Sequence, residues 1–153
     1  MKLEDYFDIW GTYEFVEGVY NVDGDVRLKK DVDKLPCSFG NVTGSFFCSR
    51  NELTTLEGSP ESVGDSFCCH YNNLETLEGA PKYIGGDFHC DDNNLTSLEG
   101  APKWVGVSFC CHNNKLNSLK GSPISIGGYF ICDNTLKSNK EYRQYIIMKE
   151  LRK

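Results

Sequence analysis

The stretch NNLETLEGAPKYIGGDFHCDD, residues 72–92, is one of four consecutive 21-residue blocks with the same pattern. The other blocks cover 51–71, 93–113 and 114–134, and all four share the positions of two leucines, a proline, a phenylalanine and a cysteine. A period of about 20 to 50 residues is typical of stacked units, because each unit buries its apolar face only against its neighbours. The sequence therefore predicts a repeat solenoid.

Each block contains a short segment, such as Asp87 to Asp91, in which Phe and Cys alternate with polar or variable residues, as a strand with one buried face requires. Gly79, Pro81 and Gly85 interrupt the rest of the block and leave too few positions for a normal helix. We therefore predict an extended or single-turn return path. Parallel coils spaced at about 4.8 Å place like residues in columns, with Phe, Cys and Leu columns inward.

An asparagine recurs three residues after the inward cysteine of each block, at the corner where the chain leaves the strand. An amide side chain both donates and accepts hydrogen bonds, so it can satisfy backbone groups of adjacent coils that the turn buries. The sequence predicts an asparagine ladder formed by Asn51, Asn72, Asn93 and Asn114.

The chain of 153 residues is expected to form one domain. Repeats are predicted over roughly residues 22–137, with a degenerate first strand near Asp25 to Leu28, an N-terminal cap over 1–21 and a C-terminal capping helix over 138–153. Ser138 and Glu141 have the spacing of a capping box, and apolar residues follow at helical spacing. The opposite end is expected to be covered by Tyr6, Phe7, Ile9, Trp10, Tyr13 and Phe15.

The spacing F-x-C-x-x-N-x-L-x-x-L resembles the leucine-rich repeat consensus L-x-L-x-x-N-x-L-x-x-L, with Phe and Cys in the first two apolar positions. It occurs at Phe88, Cys90, Asn93, Leu95 and Leu98. The 21-residue unit is similar to bacterial leucine-rich repeats, and the pattern L-x-x-L-x-G-x-P-x-x-V-G-G resembles small repeat proteins of bacteriophages. The resemblance implies one curved parallel sheet with its strands on the concave side, an extended or short-turn convex side, and a platform for binding another protein.

Charge and composition favour a protein of the cytoplasm. The acidic N-terminal stretch has no unbroken apolar run, so it predicts neither a secretory signal nor a membrane span, and all eight cysteines are expected to be free. The net charge is −6, and acids outnumber bases eleven to five between residues 37 and 136. Because gripping phosphates requires a basic face, this balance argues against a nucleic-acid ligand.

Neighbouring strand residues point to opposite faces, so Cys69 is expected to join the core while Cys68 points outward. Zinc could in principle bind to the outward cysteines and histidines of adjacent strands. Cys68 and Cys110 are two strands apart, about 9–10 Å, whereas thiolates on one ion lie about 4 Å apart. We therefore expect no metal or cofactor, and a zinc site or metalloenzyme on the concave face is the alternative. The outward columns are Phe47, Cys68, His89, Cys110 and Ile131, and Ser49, His70, Asp91, His112 and Asp133.

A nucleophile with base and carboxylate can be assembled from these columns, as Cys68, His89 and Asp91 or as Cys110, His112 and Asp133. A regular sheet offers no evident oxyanion pocket, so we do not expect an enzyme.

The sequence predicts instead a non-catalytic protein-interaction module. The bacteriophage resemblance implies that the partner is a bacterial host protein, such as a defence or metabolic factor that the chain inhibits. An interface on the convex side or on the caps is the alternative, and the oligomeric state stays open. The predicted partner-binding residues are Cys68, His70, Tyr71, Asp87, His89, Asp91, Asp92, Cys110, His112, Tyr129 and Ile131.

Overall fold

The computed structural model describes residues 2–29 and 31–151. They form a β-solenoid of about five turns, with twelve strands in one sheet and a short C-terminal helix, as the repeat predicts. Met1, Lys30, Arg152 and Lys153 lie outside the described residues, so the predicted cap and capping helix are described from residue 2 and up to residue 151.

The chain begins with a 3-10 helix at Leu3–Asp5 and ends with two α-helices. The elements are β1 (Phe7–Val16), β2 (Val19–Leu28), β3 (Phe39–Val42), β4 (Phe46–Phe47), β5 (Ser62–Val63), β6 (Phe67–Cys68), β7 (Tyr83–Ile84), β8 (Phe88–His89), β9 (Trp104–Val105), β10 (Phe109–Cys110), β11 (Ser125–Ile126), β12 (Phe130–Ile131), α1 (Asn134–Lys137) and α2 (Lys140–Glu150).

Each regular coil contains two short strands, so the solenoid has two stacks of parallel strands. Strands β3, β5, β7, β9 and β11 form the Val/Ile stack, and strands β4, β6, β8, β10 and β12 form the Phe stack. The Val/Ile stack lies where the sequence predicted an extended return path. Strand β2 joins the two stacks, because its Val22 pairs with Val42 and its Val26 pairs with Phe46. Strand β1 pairs with β2 antiparallel.

Glycine allows the close approach of coils at the corner between the two stacks. A Cβ atom on Gly85, directly after β7, would lie 2.0 Å from the carbonyl oxygen of Gly64 in the preceding coil. Gly106 repeats this contact one coil later, at 1.9 Å from the Gly85 oxygen. The corner therefore excludes any larger residue unless the coils separate.

The core consists of the predicted columns. Phe67, Phe88 and Phe109 are fully buried, and their rings stack face to face with centroids 5.7 and 5.2 Å apart. The inward cysteines are also buried, with Cys69 and Cys90 both 0% exposed. The side of the Val/Ile stack that faces the core contributes Val42, Val63, Ile84, Val105 and Ile126.

The predicted asparagine ladder is confirmed for Asn72, Asn93 and Asn114, whereas Asn51 bonds only within its own coil. Asn93 donates through Nδ2 to the carbonyl oxygens of Cys69 and Cys90, at 3.0 and 3.2 Å, and its Oδ1 accepts from the backbone N–H of Leu74 at 3.0 Å. Asn72 and Asn114 make equivalent bonds. Each of these three amides therefore links its own coil to the preceding one.

Helix α2 packs on the last coil, where the ring centroids of Tyr145 and Phe130 lie 5.1 Å apart. The capping-box prediction is wrong in detail. Asn139, not Ser138, is the N-cap, and its side chain accepts from the N–H of Glu141. Glu141 is used elsewhere, because its carboxylate accepts from the backbone N–H of Leu119 at 2.9 Å and so satisfies a donor at the open end of the array.

No helix within the described residues is long and apolar enough to cross a membrane.

The N-terminal hairpin covers the first coil with fewer residues than predicted. Phe7 is buried and packs against Phe39, with ring centroids 5.0 Å apart. The prediction is wrong for Trp10, Tyr13 and Phe15, which are 54%, 44% and 61% exposed. They lie on β1, which pairs only with β2, and Tyr13 and Phe15 pack on Tyr20 of β2 rather than on the buried core.

Candidate functional site

The outward surface of the Phe stack gathers most of the predicted partner-binding residues. Strands β6, β8 and β10 pair in register, so residues 21 positions apart lie next to each other. We call this surface the histidine face and define it by Cys68, His70, Tyr71, His89, Asp91, Asp92, Cys110 and His112.

The two cysteines of this face are buried, contrary to the prediction that they are displayed. Cys68 is 7% exposed and Cys110 is 5% exposed. Each short thiol lies between larger side chains of the neighbouring strands: Cys68 pairs with Phe47 and His89, and Cys110 pairs with His89 and Ile131. The larger neighbours close over the thiols, so the displayed chemistry comes from the imidazoles and carboxylates.

Asp91 is the centre of the face. Its Oδ1 lies 3.6 Å from Nδ1 of His89 on its own coil, and its Oδ2 lies 3.9 Å from Nε2 of His112 on the next coil. The His70 ring lies 6.1 Å from the His89 ring, between centroids. One carboxylate therefore lies beside the histidines of two coils, and the histidine of a third coil lies next to His89, although both ion-pair distances exceed that of a hydrogen bond.

The three coils give these groups different protonation behaviour. Contact with the Asp91 carboxylate and, after it, with the Cys110 thiol raises the pKa of His89 to about 10. Burial lowers the pKa of His70 despite the nearby carboxylate, so at neutral pH its imidazole is uncharged. Burial, the largest influence, opposes the ionisation of Asp91, but contact with His89, a backbone hydrogen bond and the nearby His112 and His70 together outweigh it, so the pKa of this carboxyl lies below its ordinary value.

The backbone is left-handed in four successive coils at the residue that directly follows Ser49, His70, Asp91 and His112. Arg50, Tyr71, Asp92 and Asn113 have φ values of 58°, 54°, 54° and 53°. Asp and Asn tolerate this conformation, whereas bulky residues rarely adopt it. Tyr71 is nevertheless found there, half exposed, with the Arg50 guanidinium 5.1 Å from its ring centroid. The strain therefore falls on Arg50 and Tyr71, whose side chains contact each other beside His70.

The remaining predicted residues lie on the same side of the solenoid but in different environments. The Asp87 carboxylate accepts from the backbone N–H of Ser108 at 2.8 Å, so it joins two coils. Tyr129 is 77% exposed and Ile131 is 39% exposed, and both lie at the C-terminal end of the Phe stack. The Asp92 carboxylate accepts from Nδ2 of Asn113 at 3.1 Å.

The groups that could hold a metal ion are oxygen and nitrogen donors. One ligand atom each from Asp91, Asp92 and His112 lies within 4.8 Å of the other two. The predicted alternative of a Cys/His zinc set fits less well, because burial raises the pKa of the Cys68 thiol to about 11 and only the thiolate is a good ligand. Burial of the thiols also makes either cysteine a poor nucleophile for an incoming substrate.

The Val/Ile stack carries a second surface that sequence reasoning missed. Tyr83 and Trp104 are paired in register, are 53% and 47% exposed, and line a mostly apolar groove with Asn41 and Ser62. The sequence signal for this surface was that Tyr83 and Trp104 occupy the same position in successive blocks.

The left-handed corner also had a sequence signal, since two of its four residues are Asp and Asn, which tolerate a left-handed backbone.

Comparison of the chain with protein-family models, with curated proteins and with solved structures gives no match. The likeness to leucine-rich repeats therefore rests on the repeat pattern itself.

Proposed function

We propose that this chain is a non-catalytic protein-binding module of the cytoplasm that uses the histidine face to hold a basic surface of a partner protein. The observation that carries the proposal is the strained, half-exposed Tyr71. A left-handed conformation costs a non-glycine residue roughly 1–2 kcal/mol. Such strain persists where the surroundings impose it, and it is concentrated at functional positions.

The residue types at this corner suit an interface. Tyr and Arg are enriched among the residues that dominate binding energy, and Tyr71 stacks with Arg50. Tyr129 and Ile131 add exposed apolar area in the coil that follows the coil of His112. The register of the strands keeps these side chains in a fixed relative position, which limits the entropy lost on binding.

The charge of the face favours a basic partner. After burial, the negative charges of Asp91, Asp87 and Asp65 contribute to the raised pKa of the Cys68 thiol, so this part of the face is acidic. A lysine- and arginine-rich patch on the partner would complement them and would speed association at low salt. From the resemblance to bacteriophage repeat proteins, we propose that the partner is a bacterial host protein that the chain inhibits.

A capture experiment with matched tyrosines tests the proposal. Tyr71 and Tyr83 are similarly exposed, at 50% and 53%, but lie on different stacks. Tagged wild-type protein, Tyr71→Asn and Tyr83→Asn are incubated with bacterial lysate, and the captured proteins are identified and then titrated as purified proteins.

We expect one captured protein to bind Tyr71→Asn about 30-fold more weakly than wild type, as for an interface residue that contributes about 2 kcal/mol. Its binding to Tyr83→Asn should be unchanged, and its affinity should fall with added salt. Loss of capture in Tyr83→Asn together with full capture by Tyr71→Asn would place the interface on the Val/Ile stack and refute the proposal.

A further inference from the structure

We propose that Asp91, Asp92 and His112 bind a divalent transition-metal ion of the zinc class on the histidine face. This proposal does not depend on the protein-binding function, because its test uses the purified chain and the metal alone. It replaces the Cys/His ligand set that the sequence suggested with one of two carboxylates and an imidazole.

Convergence of the ligand atoms is the first support. Nitrogen and oxygen ligands lie about 2.0–2.2 Å from zinc, so they are held within roughly 4 Å of one another. The candidate atoms of Asp91, Asp92 and His112 already lie within 4.8 Å, and small side-chain rotations close the difference. Adjacent strand residues would point apart, but Asp92 has a φ of 54°, and this turn brings its carboxylate to the side of Asp91.

The backbone fixes the relative positions of these residues before any ion binds. The N–H of Asp92 donates to the carbonyl oxygen of His112 at 3.1 Å, which joins the two coils at the site itself. The N–H of Tyr71 donates to the carbonyl oxygen of Asp91 at 3.3 Å, which joins the preceding coil. Ligands held by such a scaffold lose little conformational freedom on binding.

Unsatisfied polar atoms provide independent support. Within residues 2–29 and 31–151, five buried side-chain nitrogen or oxygen atoms lack a hydrogen-bond partner, and two of them, Asp91 Oδ1 and His112 Nδ1, belong to proposed ligands. A third, His70 Nδ1, lies in the same column, 21 residues before Asp91. Asp91 is only 9% exposed, so its Oδ1 cannot compensate with bulk solvent. A buried polar atom without a partner is destabilising unless an unseen ligand satisfies it.

The donor set selects the class of metal. Imidazole suits zinc and neighbouring transition metals, and carboxylates complete such sites. Calcium takes about six to eight oxygen ligands and magnesium requires a nearly octahedral oxygen shell, which two carboxylates and one imidazole do not provide. Three protein ligands leave a fourth tetrahedral position for water or for a group of a bound molecule.

The test is a titration of zinc into full-length protein that has been stripped with a chelator. Asp92→Asn is the most informative variant, because Asn tolerates the left-handed backbone and can still accept from Asn113. His112→Gln removes the imidazole. Glu75→Gln is the control, since it makes the same charge change as Asp92→Asn at an exposed residue of the same coil.

We expect one equivalent of zinc to bind wild type and Glu75→Gln equally, and at least about 10-fold weaker binding in Asp92→Asn and His112→Gln. Cobalt should give ligand-field bands without a thiolate charge-transfer band. The assignment would be overturned if zinc did not bind saturably, or if cobalt gave a thiolate band. It would also be overturned if Asp92→Asn or His112→Gln, shown to be folded by a cooperative melt in chelator, bound zinc with wild-type affinity.

Discussion

Apart from the four-residue β3, the strands of the Phe stack and the Val/Ile stack have the same length and the same 21-residue spacing, but the outward surfaces of the two stacks differ. The Phe stack displays histidines and aspartates over its buried thiols, whereas the Val/Ile stack displays Tyr83 and Trp104 beside glycines. Inward positions are constrained by the columns, and outward positions are free to vary. Sequence repetition therefore determines the scaffold, while departures from the repeat on one stack define the candidate site.

The largest expected effect distinguishes the cores of the two stacks. Phe88→Ala removes a ring stacked between Phe67 and Phe109 and should lower the free energy of unfolding by about 4 kcal/mol. Ile84→Ala, its counterpart on the Val/Ile stack, should lower it by about 3 kcal/mol because fewer atoms are lost. Denaturant titrations of both variants measure the difference. A larger loss for Ile84→Ala would show that the Phe column is not the main source of stability.

The asparagine ladder offers a comparison between its interior and its first member. Asn93→Ala leaves the N–H of Leu74 without a partner and removes one of the two amide donors from the carbonyl oxygens of Cys69 and Cys90, so it should cost about 2–3 kcal/mol. Asn51 donates only to Cys48 and Ser49 of its own coil, so Asn51→Ala should cost about 1 kcal/mol. Equal losses in chemical denaturation would mean that the bonds between coils contribute nothing beyond the local ones.

The histidine face should titrate in two opposite ways in the metal-free protein. The folded pKa of His89 is raised to about 10 beside Asp91 and Cys110. Its contribution to stability is therefore complete below its unfolded pKa of about 6.5 and is lost as pH rises toward 10. His70 has a lowered pKa, so the folded state loses stability as pH falls below about 6.5.

Histidine ring signals in NMR spectra, recorded with chelator present, measure these pKa values directly. The His89 signal should keep its protonated position through neutral pH, while the His70 signal should change only on acidification. A shared midpoint near 6.5 for both rings would contradict the contact between His89 and Asp91.

The smallest expected effect is a gain in stability at the left-handed corner. Tyr71→Asn relieves roughly 1–2 kcal/mol of backbone strain and loses about 0.5–1 kcal/mol of stacking with Arg50. The free energy of unfolding should rise by about 0.5 kcal/mol. Tyr83→Asn, on a regular strand of the Val/Ile stack, should give no gain. A loss of stability in Tyr71→Asn by calorimetry would remove the argument from strain.

The repeat made the solenoid, its columns and the asparagine ladder predictable, because like positions in stacked coils have like environments. The other strand of each coil was predicted only as extended chain, since Tyr83–Ile84 lies between Pro81 and Gly85 and has no alternating apolar pair such as Phe88 and Cys90. The exposed Trp10 and Phe15 show the limit at the ends, where no neighbouring repeat sets the environment.

The site was predictable as a set of columns but not as a cluster. Alternation correctly sent Cys68 and Cys69 to opposite faces, yet it could not show that Phe47 and His89 cover the outward thiol. The left-handed turn at Asp92, which brings its carboxylate toward Asp91 and His112, is likewise a backbone property that strand alternation does not contain.

Excision of one whole repeat tests the central claim most directly, because superposed coils are interchangeable. Removal of residues 72–92 joins Tyr71 to Asn93 and preserves every column. Thermal unfolding followed by circular dichroism should show a cooperative transition at a lower temperature, whereas removal of 72–91, which breaks the register by one residue, should abolish it. Loss of the cooperative transition in the 21-residue deletion, or its survival in both deletions, would contradict the account.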